Sequence, residues 1–240
     1  TRKGCQMSNN NKTLRFAGKR VLVTSAHLYM GPAICARFEA EGATVIADMG
    51  RYLDDVNEPA AIVTAAGRVD ILVINLFPAA DFDDVTFELA VDAQESEWQK
   101  MFNAMAHPTM RFTTAVLPQM IERREGKIIA VTSALPLRMI EFVSSYTAAR
   151  GAQNAYVRAA GAEVARHNVQ INAVAQNYVY GGYPDDALDR PAIHEAVKRD
   201  VPARRLAEGW EQAELVLFLA SQNSNFFCGQ VMPFSGGWVT

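Results

Sequence analysis

The run Ile71-Leu-Val-Ile74 is apolar at every position. A strand with one wet face alternates apolar and polar residues, so an unbroken run predicts a strand covered on both faces. Such strands sit in parallel sheets, and parallel pairing needs crossover helices on either side. The sequence supplies them. Arg20-Val-Leu-Val-Thr24 reads as a first strand, followed by a loop and a helix from Gly31 to Glu41 that Gly42 caps. Thr44-Val-Ile-Ala-Asp48 is the second strand. After Ile74 a long helical pattern covers Ser96 to Arg124, Gly126 closes it, and Lys127-Ile-Ile-Ala-Val-Thr132 is extended. Ser145 to Arg166 is helical and Val169 to Val174 extended. Shorter helices around Pro191 to Arg199 and Trp210 to Ala220 precede a closing strand near Gln230 to Pro233. The alternation predicts an α/β fold, a doubly wound parallel sheet in one domain spanning 14–240, after a polar, flexible tail at 1–13. Right-handed crossovers put every loop that follows a strand on one edge, where a ligand crevice is expected. Only a short segment separates Asp48 from Ile71, and Leu53-Asp-Asp-Val56 reads as the remnant of an intervening strand.

Charge and composition narrow the function. The net charge of -3 gives no electrostatic reason to expect nucleic acid or an anionic membrane as partner. No apolar run is long enough to span a bilayer, and Thr1 to Lys12 lacks the apolar core of a signal peptide. Cys5, Cys35 and Cys228 are scattered and odd in number, which predicts reduced thiols in a cytoplasmic protein. His27, His107, His167 and His194 have no ligand-like spacing, so no metal is expected. The acidic Asp81, Asp83 and Asp84 read as a solvated loop.

A fold of this layout binds dinucleotides through glycines after the first strand, because backbone N–H groups must reach a pyrophosphate at a helix N-terminus. Here the stretch is Thr24-Ser25-Ala26-His27-Leu28-Tyr29-Met30-Gly31. A Cβ at Ser25 crowds the approach and a phenol ring at Tyr29 has the size to fill it. Tyr29 either points into the core or closes that space and lines a small pocket. Asp48 stands where such folds place an acid for a ribose, although a strand-ending Asp is as often a turn former.

Ser133 follows the strand that ends at Thr132, Tyr146 comes thirteen positions later and Arg150 four after that. Tyr146 and Arg150 lie one turn apart on one helix and share a face. A neighbouring cation stabilises phenolate, which suits Tyr146 to act as a general base. A serine at a strand end can donate a hydrogen bond to a substrate oxygen. Singly, each of these residues reads as a surface or capping residue; the joint spacing is what points to catalysis.

The loop and this spacing together resemble the short-chain dehydrogenases, whose loop reads Thr-Gly-x-x-x-Gly-x-Gly. Thr24 and Gly31 match it, whereas Ser25 and Tyr29 replace the first two glycines. That family carries lysine where Arg150 stands and an asparagine where Met105 falls, with Asn103 two positions away, and Asn-Asn-Ala-Gly where this chain has Asn75-Leu-Phe-Pro78. Arginine keeps its proton and makes a poor relay but a permanent cation. A serine–tyrosine–arginine set on such a scaffold resembles the halohydrin dehalogenases, from about Leu14 onward, nearest to those whose first loop ends in Tyr-Met-Gly, as in Tyr29-Met30-Gly31.

That resemblance implies a Rossmann-like fold and a carbon–halide lyase that needs no cofactor and no metal. It would close vicinal haloalcohols to epoxides and, in reverse, open epoxides with small anions such as halide, azide, cyanide or nitrite. Ser133 would bind the oxygen, Tyr146 take its proton and Arg150 tune Tyr146. Halide would sit against Gln176, Asn177, Tyr178 and Val179, with Tyr29 as the facing wall; the family has proline at the place of Gln176 in some members. Tyr178 and Tyr180 read equally as packing beneath a loop. Leu76, Phe77, Phe82, Leu135, Pro136, Phe142 and Tyr180 are the candidate substrate pocket, and 181–184 a lid. The resemblance also implies a homotetramer built on the helices Ser96 to Arg124 and Ser145 to Arg166, with Trp238 near a neighbour's site. Two other readings remain: an NAD(P)-dependent oxidoreductase with a divergent loop, and a non-catalytic binding protein of the same fold.

Overall fold

In the computed structural model, which describes residues 14–50, 52, 58–77, 88–181 and 191–240, the apolar runs become one parallel sheet. Its strands are β1 Arg20–Val23, β2 Thr44–Ala47, β3 Ile71–Asn75, β4 Gly126–Ser133, β5 Val169–Gln176 and β6 Val231–Phe234. They lie side by side in the order β2-β1-β3-β4-β5-β6, and every pairing is parallel. β3, β4 and β5 are buried along their whole length, as unbroken apolar runs require. Side chains alternate between two cores. Val21, Val23, Ile129, Val131 and Val174 join one face with Ile34, Phe38 and Val216. Leu22, Leu72, Ile128 and Ala130 join the other with Phe112, Val116 and Val157. The first face is covered by α1 Gly31–Ala40 and α7 Gly209–Ala220, the second by α2 Glu58–Ala66, α4 His107–Arg123 and α5 Ser144–Val164. The remaining helices are α3 Glu95–Met101 and α6 Pro191–Asp200. None of the helices among the described residues is long and apolar enough to cross a membrane. Leu53 to Val56, the tail at 1–13, Phe82, the acidic loop residues and 182–184 lie outside the described residues.

β1 pairs with β2 on one side and β3 on the other, so the strand order reverses there and a crevice opens beyond the ends of β1 and β3. Two boundaries differ from expectation. Ser133 is the last residue of β4 and not the first of the loop, so the strand itself fixes its backbone. The single helix expected from Ser96 to Arg124 is broken, with a π turn at Phe102–Ala106 between α3 and α4. Pro108 is the reason. Its nitrogen carries no hydrogen and its ring crowds the carbonyl four residues back, so the chain widens one turn before it. Periodicity of apolar residues is blind to that change.

Candidate active site

The loop between β1 and α1 keeps the backbone of a glycine loop without its glycines. Ser25 has φ of 44° and Tyr29 of 53°, both left-handed, at the two positions where glycine is replaced. Holding bulky residues there costs energy that surrounding contacts must supply. Asn75, at the end of β3, supplies much of it. Its Nδ2 donates to the carbonyls of Ser25 (3.1 Å) and Leu28 (2.9 Å), and its Oδ1 accepts from Met30 N (3.3 Å). Ala26 N donates to Asp48 O (2.7 Å), Leu28 N to Ser25 O (3.0 Å) and Gly31 N to Leu28 O (2.9 Å). Ser25 N donates to the Tyr52 hydroxyl at 3.2 Å. The amides of residues 25, 26, 28, 30 and 31 are therefore all engaged with the protein itself. Gly31 is required for a different reason: a Cβ there would stand 2.4 Å from the Ala26 carbonyl oxygen. We expect Asn75→Ala to destabilise the protein by about 3 kcal/mol, since it leaves three buried backbone groups unsatisfied. Urea unfolding checks this, and a loss below about 1 kcal/mol would show that other groups or water re-form those bonds.

Tyr29 is buried and lies parallel to Phe77, ring centroids 5.1 Å apart. It does not merely join the core. The Arg150 guanidinium carbon is 5.7 Å from the Tyr29 ring centroid and 5.3 Å from that of Tyr146, so the cation lies between two phenol rings. Arg150 is fully buried. Its Nε donates to Tyr146 Oη at 3.1 Å, its Nη1 to Val131 O (3.2 Å) and Gln153 Oε1 (3.0 Å), and its Nη2 to Leu76 O (2.9 Å). Gln153 is fixed in turn: Nε2 donates to Thr109 Oγ1 (2.6 Å) and Met105 O (3.2 Å), and Thr109 Oγ1 donates to the same carbonyl (2.7 Å). Met105 lies in the π turn. Every bond in this chain thus has a settled direction, and the arginine presents an N–H to the tyrosine oxygen. Ser133 Oγ accepts from Leu135 N at 3.1 Å, which leaves its own hydrogen to donate outward.

Beyond β5 the chain passes the same crevice. Gln176 and Asn177 each carry a buried side-chain amide nitrogen with no acceptor among the described residues. Gln176 Oε1 meanwhile accepts from Gln212 Nε2 at 3.1 Å. Asn177 N donates to Phe234 O and Tyr180 N to Ala207 O, whereas the N–H groups of Tyr178 and Val179 meet no acceptor among the described residues. Val179 is fully buried. Buried donors without partners are rare and costly, so the Gln176 and Asn177 amides are suited to take an acceptor. Burial and, secondarily, Asp200 raise the Tyr178 phenol above its usual range, which keeps it neutral beside an anion.

The other candidate residues divide. Leu135 packs on the Tyr146 cluster, and Tyr178 and Tyr180 pack against Leu206 and Trp238. Trp238 therefore fills its own chain, where Arg138 Nη1 donates to its carbonyl at 2.8 Å and stacks over its ring. The Leu76 side chain sits in the core below the sheet, and it is its carbonyl that serves Arg150. Pro136 and Phe142 line a groove of about 1090 Å³ with Ser144, Ala148 and Gly151, on the face of α5 away from Tyr146. Asp48 takes the Gly50 amide at 3.3 Å, a turn-forming role, and burial raises its pKa. Gln153 and Tyr52 went unread in the sequence. Gln153 stands three residues after Arg150 on the buried face, a spacing that gives it away. Tyr52, at φ of 58°, gives no such signal.

Comparison with known proteins agrees with this fold. Residues 54–239 match the family described as Enoyl-(Acyl carrier protein) reductase. A 3-oxoacyl-[acyl-carrier-protein] reductase of Thermotoga maritima is 28% identical over 94% of this chain and 100% of its own length. A cyclopentanol dehydrogenase of Comamonas testosteroni is 26% identical over 94% of this chain and 98% of its own. Among solved structures, one titled a dehalogenation enzyme superposes with a TM-score of 0.83 at 28% identity, covering 94% of this chain and 99% of that one. A halohydrin dehalogenase bound to ethyl (2S)-oxiran-2-ylacetate gives 0.81 at 26% identity, covering 92% and 98%.

Proposed function

The chain belongs to the short-chain dehydrogenase/reductase superfamily, and from that premise we propose that it is a halohydrin dehalogenase. The observation that carries the proposal is the Tyr29–Arg150–Tyr146 stack, which puts a fixed cation and a phenol ring where a redox member needs a relay lysine and an open loop. The residues present do not fit a dinucleotide. The amides of 26, 28, 30 and 31, which a pyrophosphate would need, are bonded to the protein, and Tyr52 takes the amide of Ser25.

In the proposed reaction Ser133 Oγ donates to the hydroxyl oxygen of a vicinal haloalcohol. Tyr146 Oη, beside the Arg150 guanidinium, acts as the general base that takes the hydroxyl proton. The alkoxide oxygen attacks the adjacent carbon, the new C–O bond closes the epoxide, and the carbon–halogen bond breaks with its electron pair on the halide. The departing halide is received by the N–H groups of Tyr178 and Val179 and the side-chain amide nitrogens of Gln176 and Asn177, none of which meets an acceptor among the described residues. No redox equivalent enters or leaves. In reverse, a small anion held there opens the ring. Assembly as a homotetramer through the α3–α4 and α5 helices belongs to the same proposal; Trp98 and Met110 are exposed on those helices.

The reductases among the relatives favour a second reading, reduction by NAD(P)H. One experiment separates the two. The purified protein is given a vicinal bromoalcohol with no nucleotide, and bromide, acid and epoxide are followed together. Equal release of all three is the expected result. No release, with saturable NAD(P)H binding by fluorescence, would establish the reductase reading instead.

A further inference from the structure

At the sheet edge opposite the reaction crevice lies a second cavity, of about 390 Å³, within the size range of small-molecule sites. Ile71, Lys127 and Gln170 form its floor, side by side on β3, β4 and β5, because Ile71 pairs in register with Lys127 and Lys127 with Gln170. Lys127 is 9% exposed and Gln170 5%. The Lys127 ammonium has three hydrogens and one bond, to Ser224 Oγ at 3.3 Å. The side-chain amide of Gln170 makes no hydrogen bond among the described residues. Arg123, on the rim, has a buried Nε with no acceptor among them.

The charges around this floor are uneven. Two acids line the cavity, and both are engaged: Asp70 with Arg68 (2.7 Å) and Arg20 N (2.9 Å), Glu125 with Lys19 (2.6 Å). Among the described residues Lys127, Arg123 and Arg124 have no carboxylate within salt-bridge reach. Burial lowers the Lys127 amine to about 8, and the Cys228 thiol nearby opposes that only in part. Lys127, with ammonium hydrogens unused, and the Gln170 amide therefore line one space, while Arg123 on the rim is held by Gln119 Oε1 and Val69 O and adds its charge; an acceptor carrying negative charge suits that set.

We propose that this cavity is a binding site for a small oxyanion, a carboxylate or a phosphate, seated on Lys127 and Gln170. It is independent of the dehalogenase reading, since β4 separates it from Ser133 by six residues, roughly 20 Å of strand. The test is calorimetric titration of the whole protein with inorganic phosphate in one arm and malonate in the other. Both run at constant ionic strength in sodium chloride, which also occupies the halide turn. Saturable binding of either is expected, and the arm that binds identifies the anion class. Lys127→Met and Gln170→Leu, which keep the side-chain volume, should weaken it at least about tenfold, the loss of one charge-assisted hydrogen bond. A readout that needs no variant is limited acetylation of the parent protein, in which the bound anion should protect Lys127. Absence of binding in both arms, unchanged affinity in Lys127→Met, or no protection of Lys127 would overturn the assignment.

Discussion

Tyr146→Phe is expected to lower halide release by about 10²–10⁴-fold, the range that a positioned general base contributes. The reasoning runs through the direction of one hydrogen bond. Arg150 Nε donates to the tyrosine oxygen, so that oxygen keeps a further lone pair with which to accept the substrate's proton. Phenylalanine preserves the ring between Met101, Ala149 and Leu135 but removes the only atom able to take the proton. It also removes the Tyr146 Oη acceptor of Arg150 Nε, a cost of about 1–3 kcal/mol that a folded protein of this size should survive. Near-parental circular dichroism with a collapsed rate is the expected pair of results. A variant that releases bromide at the parental rate would remove Tyr146 from the mechanism.

The second large effect falls on stability. Arg150→Met should cost about 3–5 kcal/mol, because it strips the donors from Val131 O, Leu76 O and Gln153 Oε1, all of them buried. These acceptors come from β4, the end of β3 and α5, so one side chain ties three elements together. Methionine fills the space but cannot answer any of them. Arg150→Lys should recover the charge without the fork, restoring part of the activity and less of the stability. Denaturant midpoints at unchanged slope would measure it. A loss under about 1 kcal/mol would mean that the arginine serves chemistry alone.

Much of this fold could be read from its residues. Ile71 to Ile74 announced a strand buried on both faces, and β3 is one. The Tyr146 and Arg150 spacing named a pair that a hydrogen bond joins, and Ser133 ends β4. What escaped was carried by backbone. The loop's amides are engaged by carbonyls and by Asn75, a residue read only as a departure from a motif. The π turn before α4 follows from where Pro108 sits against a helical ladder, which no count of apolar residues registers. Lys127 and Gln170 look like ordinary polar residues near strand starts until the register of β4 on β5 sets them together. Leu76 misled in the opposite way, since its useful atom is its carbonyl.

The hydrogen bonds that knit the first loop to Asn75 and Tyr52 bear on the history this scaffold can retrace. Restoring glycine at Tyr29 alone removes a ring and its contact with Arg150, yet frees none of the amides at 25, 26, 28, 30 and 31. Changes at Asn75 and Tyr52 would release only the amides of Met30 and Ser25, while those of 26, 28 and 31 would stay on backbone carbonyls. On the dehalogenase reading, one glycine therefore does not rebuild a phosphate loop, because the loop's own carbonyls and two side chains from elsewhere in the fold would have to move with it.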